Sequence, residues 1–313
     1  MVGSSMNSEL RIGFIGFGEA GFNIANGLRG AGLTQLFAYD INTHTPGLGE
    51  RIRLRADESQ TTLLDSSESL AQASNILLST VTAGAAVEAA EQTAYYLDKR
   101  HLYADLNSVS PAAKQAIDRI INDRGARFVE AAIMAPVIPY GHRVPLLLGG
   151  LQAHEFVGLM APYGMHLEVV SDSVGVASAT KMCRSIIVKG LEALVLECVL
   201  AASCYGAEER VFASLDETFP GFNWNERASY MVSRIVEHGE RRAREMEEVG
   251  EMLRATGIDP IMSDATARRQ EWCAGFKLRE HFGGKAPSNY REVVRALITS
   301  DKFSNQIERS CES

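Results

Sequence analysis

Gly16, Gly18 and Gly21 stand as Gly16-Phe17-Gly18-Glu19-Ala20-Gly21 directly after an apolar run ending at Ile15, and Phe22, Ala25 and Leu28 continue beyond them at helical spacing. A second apolar run then closes on Asp40. Three glycines at these intervals suit a loop that meets phosphate: the first permits a tight turn, the second lets the backbone approach an anion, and the third lets helix and strand pack closely. The start of the following helix adds free N–H groups and the positive end of a dipole. An acid about twenty residues further on accepts hydrogen bonds from a ribose. Strand, loop, helix, strand and acid in this order read as a dinucleotide-binding unit. The charge of Asp40 opposes a 2′-phosphate, so NAD is the expected cofactor, with NADP as the alternative. Arg51, Arg53 and Arg55 would meet that phosphate if their segment folds back, and otherwise form a solvated face. Ile41, beside Asp40, and Thr80, Val81 and Thr82, at the end of the run 75–81, complete the contacts expected of this loop.

Lys181 and Ser185 are a second pair with chemical potential, four apart on a helical stretch whose other faces are supplied by Val176, Cys183, Ile187, Leu191 and Leu194. Oxidising an alcohol requires a base for the hydroxyl proton, and reducing a carbonyl requires the same group as an acid. An amine serves when burial or neighbouring cations bring its pKa towards the working pH. Ser185 would orient the substrate oxygen.

Other polar residues carry less. Residues 237–248 place opposite charges four apart at Glu237/Arg241, Glu240/Arg244, Arg241/Glu245 and Arg244/Glu248, the pattern of a salt-laced surface helix. His142 and Arg143 stand in a loop where they would either bind an anionic substrate or be solvated. The seven histidines form neither HxH nor HExxH and no CxxC accompanies them, so no metal is expected. The absence of GxSxG argues against a serine hydrolase. Trp224, Trp272, Phe222 and Tyr230 read as core or interface aromatics.

The elements that must position these groups follow from the apolar pattern. Strands are expected at 10–15, 36–40, 75–81, 102–106, 127–132, 144–148 and 166–170, with helices at 19–30, 67–73, 84–99, 111–123 and 153–162 between them, an alternation that builds a parallel sheet covered on both faces. Beyond it, 174–205 is one long apolar helical stretch, and no later segment alternates as a strand. Turn signals fall at Pro220-Gly221, 257–260 and 283–287. The division predicted is a tail at 1–9, an α/β domain at 10–170 and an all-α domain at 171–313. A chain of 313 residues with 46% hydrophobic residues supports two cores of this size. The formal net charge is −8 and neither half is net basic, which excludes nucleic acid as the expected partner. Five cysteines without a CxxC pair read as reduced thiols, and no apolar run reaches membrane-spanning length, so a cytoplasmic protein without a membrane partner is expected.

In detail the chain resembles the β-hydroxyacid dehydrogenase group, and most of all the bacterial 6-phosphogluconate dehydrogenase-like NAD-binding proteins with a helical C-terminal domain of unassigned function. The resemblance runs over about residues 10–255. Besides the glycine loop, three stretches carry it. Asp105-Leu106-Asn107-Ser108-Val109-Ser110-Pro111 is similar to the group's D-x-S-T-x-x-P turn, which implies that Asn107 touches the cofactor and Ser108 the substrate. Glu130-Ala131-Ala132-Ile133-Met134-Ala135-Pro136-Val137 resembles the D-A-P-V strand end, which implies a substrate contact at Pro136. The group continues there with S-G-G, a cradle for the substrate carboxylate, whereas this chain has Ile138-Pro139-Tyr140-Gly141. Gly175-Val176-Ala177-Ser178-Ala179-Thr180-Lys181-Met182-Cys183-Arg184-Ser185 is similar to G-x-x-x-x-x-K-x-x-x-N, so Lys181 falls on the group's catalytic lysine and Ser185 on its asparagine. Relatives carry a further lysine in the region of 237–248, for which His238 or Arg241 would substitute at the substrate.

The resemblance implies a Rossmann-type doubly wound parallel sheet followed by an all-α domain, reversible oxidation of a small 3-hydroxy acid or related polar alcohol by hydride transfer, and a homodimer formed through the helical domain. Reduction of an imine or a bulkier carbonyl is an alternative, although imine reductases on this scaffold generally lack the lysine. A nucleotide-binding regulator without catalysis is the other.

Overall fold

The computed structural model describes residues 10–300 and 302–303; the expected tail at 1–9 and Cys311 lie outside the described residues. The chain divides into two compact units, Met1–Lys181 and Met182–Ser313. The division falls within one unbroken helix, Val176–Cys204.

The first unit is a sheet of eight strands: β1 (Ile12–Ile15), β2 (Leu36–Tyr39), β3 (Thr62–Leu63), β4 (Ile76–Ser79), β5 (Leu102–Asp105), β6 (Arg127–Ile133), β7 (Leu146–Gly149) and β8 (Leu167–Ser171). Their order is β3-β2-β1-β4-β5-β6-β7-β8. Neighbours are parallel throughout except β6 and β7, which are antiparallel. Helices α1 (Glu19–Gly30), α2 (Leu48–Ser59), α3 (Ser67–Ala73), α4 (Ala86–Ala94), α5 (Pro111–Asn122), the single turn α6 (Val137–Tyr140) and α7 (Ala153–Met160) connect them.

Strand alternation divides the apolar residues between two faces. Ile12, Phe14, Ala38, Leu78 and Ala104 form one core with α1, α2 and α7, while Ile15, Leu77, Tyr103 and Phe128 form another with α3, α4 and α5. Besides the single turn α6, two elements of the first unit escaped the sequence reading. Helix α2 buries only Gly49, Ile52, Ala56 and Ser59, too thin a stripe among its charges to stand out, and β3 has just two residues.

The second unit contains most of α8 (Val176–Cys204), then α9 (Glu208–Thr218), α10 (Trp224–Ala255), α11 (Ile261–Ala274), α12 (Leu278–His281) and α13 (Tyr290–Ile298), with no strand among the described residues. Helix α10 buries Ala228, Val232, Ile235, Gly239, Ala243 and Met246 along one stripe. Gly239 allows close approach to α11: a Cβ there would lie 3.0 Å from the Gln270 carbonyl oxygen. No helix among the described residues is long and apolar enough to cross a membrane.

Candidate functional site

The order in which strands are added reverses between β1 and β4: from β1 the chain goes to β2 and β3 on one side, then crosses to β4 on the other. Such a switch point leaves a crevice beyond the carboxyl ends of the strands. Gly16 begins its rim with φ +80°, and a Cβ there would lie 2.8 Å from Val81 Cγ1, so no other residue fits this turn without strain. Its N–H donates to the Tyr39 carbonyl at 2.8 Å. Gly21 sits where a Cβ would come within 2.7 Å of Thr80 Oγ1 and 2.9 Å of the Gly16 carbonyl oxygen, which accepts from the Thr80 hydroxyl at 2.7 Å. Gly18 differs from both: no protein atom lies within 4 Å of a Cβ built there. Packing within the protein therefore does not require glycine at 18, whereas an approaching ligand would. The first bond of the α1 ladder runs from the Phe22 N–H to the Gly18 carbonyl, which leaves the amides of Gly18, Glu19, Ala20 and Gly21 without helical partners.

A cleft of about 450 Å³ opens here, lined among others by Gly16, Gly18, Glu19, Asp40, Ile41 and Thr80 to Thr82. Asp40 accepts the Phe17 N–H through Oδ2 at 2.7 Å and the Asn42 N–H through Oδ1 at 2.8 Å. It ties the glycine loop to the end of β2, and each oxygen keeps acceptor capacity beyond that bond. Phe17 corrects an expectation: its side chain is buried edge-on against Phe14, and its amide is taken by Asp40, so neither faces the cleft. The arginine run is not a loop folding back but part of helix α2. Arg51 and Arg55, four apart, line the cleft, while Arg53 turns away and donates to the Thr43 carbonyl at 2.6 Å.

Beyond β4 come the carboxyl ends of β5 and β6. Asp105 and Glu130 are directly paired across these strands, and both are fully buried. Asp105 accepts from the Asn107 amide N–H at 3.1 Å and pairs with Lys114 at 3.0 Å, while Lys114 also donates to the carbonyls of Asp105 at 2.7 Å and Ala131 at 3.3 Å. The Asn107 side chain donates to Ser79 Oγ at 2.8 Å, bridging β5 to β4. Asn107 is thus a buried strut of the crevice wall. The next residue, Ser108, is exposed, and Lys181 Nζ donates to its hydroxyl at 2.6 Å. The first turn of α8 is held in turn by Glu130, whose two oxygens accept from the N–H groups of Gly175 and Ser178, each at 2.7 Å.

Several expected residues lie elsewhere. His142 is neither solvated nor in the cleft. It is buried on α1 over Gly27, where a Cβ would meet its Nδ1, and burial followed by the nearby Arg143 charge holds its pKa below the ordinary value. Arg143 is exposed beside it. Pro136, also exposed, opens the single turn α6, whose loop presents Ile138 and Tyr140 to solvent. Ser185 lies one turn past Lys181 on α8 and accepts from Lys189 Nζ at 3.3 Å.

His238 and Arg241 belong to a polar cluster of the second unit. Burial first, then the charges of Arg234, Arg241 and Arg242, bring the His238 pKa down to about 4. Arg241 pairs with Glu245, and Glu245 with Lys189 at 2.8 Å. Deeper in, Arg242 meets Glu192 at 2.8 Å, both nearly inaccessible. Glu237 pairs with Arg234 at 3.5 Å rather than with Arg241. Sequence reasoning passed over Lys114, Lys189, Glu192 and Arg242. The available signal was a charged residue inside an apolar stripe, as Arg242 is between Gly239 and Met246.

Residues 11–137 match the NAD binding domain of 6-phosphogluconate dehydrogenase, and residues 202–273 match a domain of unknown function, DUF1932. The chain is similar to a conserved hypothetical protein from Sinorhizobium meliloti 1021, with 36% identity and a TM-score of 0.79 over 93% of this chain and 96% of that one. A second solved structure, a conserved protein of unknown function noted for its structural similarity with 3-hydroxyacid dehydrogenases, is 31% identical with a TM-score of 0.71, covering 88% of this chain and 100% of its own. Mitochondrial 3-hydroxyisobutyrate dehydrogenase of Drosophila melanogaster is 27% identical over 227 residues, 71% of this chain and 67% of that protein. The chain therefore belongs to the family that joins an NAD-binding domain of the 6-phosphogluconate dehydrogenase type to this helical C-terminal domain, a family built like the 3-hydroxyacid dehydrogenases.

Proposed function

We propose that the protein is a nicotinamide-dinucleotide oxidoreductase that interconverts a small 3-hydroxy acid, or a related polar alcohol, with its carbonyl, and that Lys181 is its acid and base. The contact of Lys181 Nζ with Ser108 Oγ carries the reading, because it holds an amine at the end of β5, next to the strand that walls the crevice. The residues present fit a dinucleotide: Gly18 has room for a close approach, the free amides of α1 face it, and Asp40 stands at the ribose end of the cleft. When bound, the nicotinamide supplies the hydride acceptor or donor. Lys181 takes the hydroxyl proton in oxidation and returns it to the carbonyl oxygen in reduction. Ser108 steers that amine by accepting its hydrogen bond.

The relative that acts on 3-hydroxyisobutyrate supports the substrate class. The carboxylate of such a substrate would not rest on the loop after Pro136, which carries Ile138, Pro139 and Tyr140 where the group has Ser-Gly-Gly. NAD is the preferred cofactor because the Asp40 side chain lines the cleft, where a carboxylate opposes a 2′-phosphate, with Arg51 and Arg55 as the counterweight that admits NADP. A homodimer through the helical domain would cover the exposed α8 stripe of Val176, Ile187 and Leu194.

The test is a panel of 3-hydroxy acids and aldehydes followed by NADH absorbance. Wild type should turn over at least one member, and Lys181→Ala should lower kcat by about 10²–10⁴ with NADH affinity unchanged. Activity that survives Lys181→Ala removes the assigned acid and base, and NADH binding without turnover on any member favours a regulator. Tighter binding of NADPH than NADH by wild type overturns the role given to Asp40.

A further inference from the structure

We propose that Glu130 is a positioning residue of this site: a buried carboxylate of β6 that caps the helix carrying Lys181 and so sets that amine against Ser108. The inference rests on the reading of Lys181 as acid and base.

An α-helix begins with unpaired N–H groups, usually met by the side chain of its N-cap residue and, in a capping box, by a glutamate at the third helical position reaching back. Helix α8 does neither. Its N-cap is Gly175, which has no side chain and sits at φ +108°, where a Cβ would also come within 3.1 Å of Gln115 Nε2. Its third residue is Ser178, whose hydroxyl donates to the Gly175 carbonyl at 3.1 Å. Glu130 performs both halves of the box from another element: Oε2 takes the Gly175 N–H and Oε1 the Ser178 N–H, each at 2.7 Å. A carboxylate at a helix N-terminus also meets the favourable end of the dipole.

The surroundings are shaped for this side chain. Glu130 is fully buried, and its register partner on β7 is Gly149, where a Cβ would lie 2.6 Å from Oε2. Across the other edge of β6 its partner Asp105 holds the loop of Asn107 and Ser108. Two buried carboxylates, paired across adjacent strands, therefore locate the two partners of one contact: Asp105 the serine and Glu130 the lysine. Lys181 lies fewer than two turns from the cap, and a helix turned by one residue rotates its side chains by about 100°, enough to carry the amine off Ser108.

Glu130→Gln preserves the volume but turns one acceptor into a donor facing an N–H. We expect hydrogen exchange at the amides of 175–181 to quicken by about tenfold. On the panel member that wild type oxidises best, kcat should fall by about 100-fold while the KM for the dinucleotide stays unchanged. Glu130→Asp, with the charge kept on a shorter stem, should recover part of kcat. On a Lys181→Ala background Glu130→Gln should cost nothing more. Unaltered exchange at 175–181, a normal kcat in Glu130→Gln, or a loss that multiplies that of Lys181→Ala overturns the assignment. If Lys181→Ala itself loses little, the reading of Lys181 fails with it; normal dependence on Lys181 with an undisturbed Glu130→Gln sinks the present inference alone. Should Glu130→Gln not fold, Gly149→Ala displaces the same carboxylate and is read identically.

Discussion

In the first unit the charged groups at the crevice end on main-chain atoms: Glu130 on the amides of Gly175 and Ser178, Asp40 on those of Phe17 and Asn42, and Lys114 on the carbonyls of Asp105 and Ala131 besides the Asp105 carboxylate. In the second unit they end on one another, Arg242 on Glu192 and Lys189 on Glu245. A side-chain partner can be exchanged for a complementary apolar one. A main-chain partner cannot, and it moves only when its whole element moves. Contacts of the first kind fill a core; contacts of the second kind fix where an element stands, which the proposed site for hydride and proton transfer would require.

Double substitutions separate the two most sharply. Removing one member of a buried pair leaves an uncompensated charge, so Arg242→Met and Lys114→Met should each lower unfolding free energy by about 3–5 kcal/mol in urea titrations. Adding Glu192→Leu to the first should restore most of the loss, since a packed apolar pair replaces the ionic one. Adding Asp105→Leu to the second should not, because the carbonyls of Asp105 and Ala131 remain buried and lose their donor. Equal recovery in both doubles would erase the distinction.

This difference also explains what was legible in the sequence. The glycine loop, α1, α3 and the end of β2 are local: Gly16 answers to its turn and Gly21 to the Gly16 carbonyl five residues away, and helices 19–30 and 67–73 fall where periodicity places them. Asp40 was legible by its distance from the loop, but not the two amides that occupy it. Lys181 was reached through the pattern of its own helix, while Glu130, its cap, lies 45 residues from Gly175 in sequence and is joined to it only by the packing of β6. His142 was misread for the same reason: its loop position says polar and exposed, and only the fold brings Gly27 beneath the ring. Arg242 and Glu192 belong to separate helices whose register no single-helix pattern encodes.

The second unit should also give the clearer response to mild acid. His238 is held at about 4 by burial and by Arg234, Arg241 and Arg242, with Glu237 acting in the opposite direction. An unfolded histidine titrates near 6.5. Between those values the unfolded chain binds a proton that the folded chain does not, so stability falls as pH drops through this window. With allowance for its partial exposure, the loss attributable to His238 should be about 1 kcal/mol between pH 7.5 and 5. Urea midpoints across that range should flatten in His238→Gln. The first unit contributes with the same sign through His142, whose pKa is also lowered, whereas Asp98, held at about 2 by Arg100, titrates in the folded chain below the window. A slope unchanged by His238→Gln would place the proton uptake outside this cluster.

The smallest effect comes from the same helix, two residues from its most buried charge. Arg244 meets Glu240 at 2.6 Å on the outer face of α10, and both side chains are more than 70% exposed. The glutamate stands four residues toward the N-terminus, the favourable orientation, yet water already solvates both groups and two long side chains must be held to form the pair. Arg244→Gln should cost about 0.3–0.5 kcal/mol at low salt and nothing measurable at 1 M NaCl, where screening acts within about 3 Å. Arg242→Met should cost nearly the same at both ionic strengths, because its charge is screened by protein rather than by ions. If Arg244→Gln were to lose more than about 1 kcal/mol, or Arg242→Met were to become salt-sensitive, the two faces of α10 would no longer differ in kind, and the contrast between inward and outward charge would have to be given up for this unit.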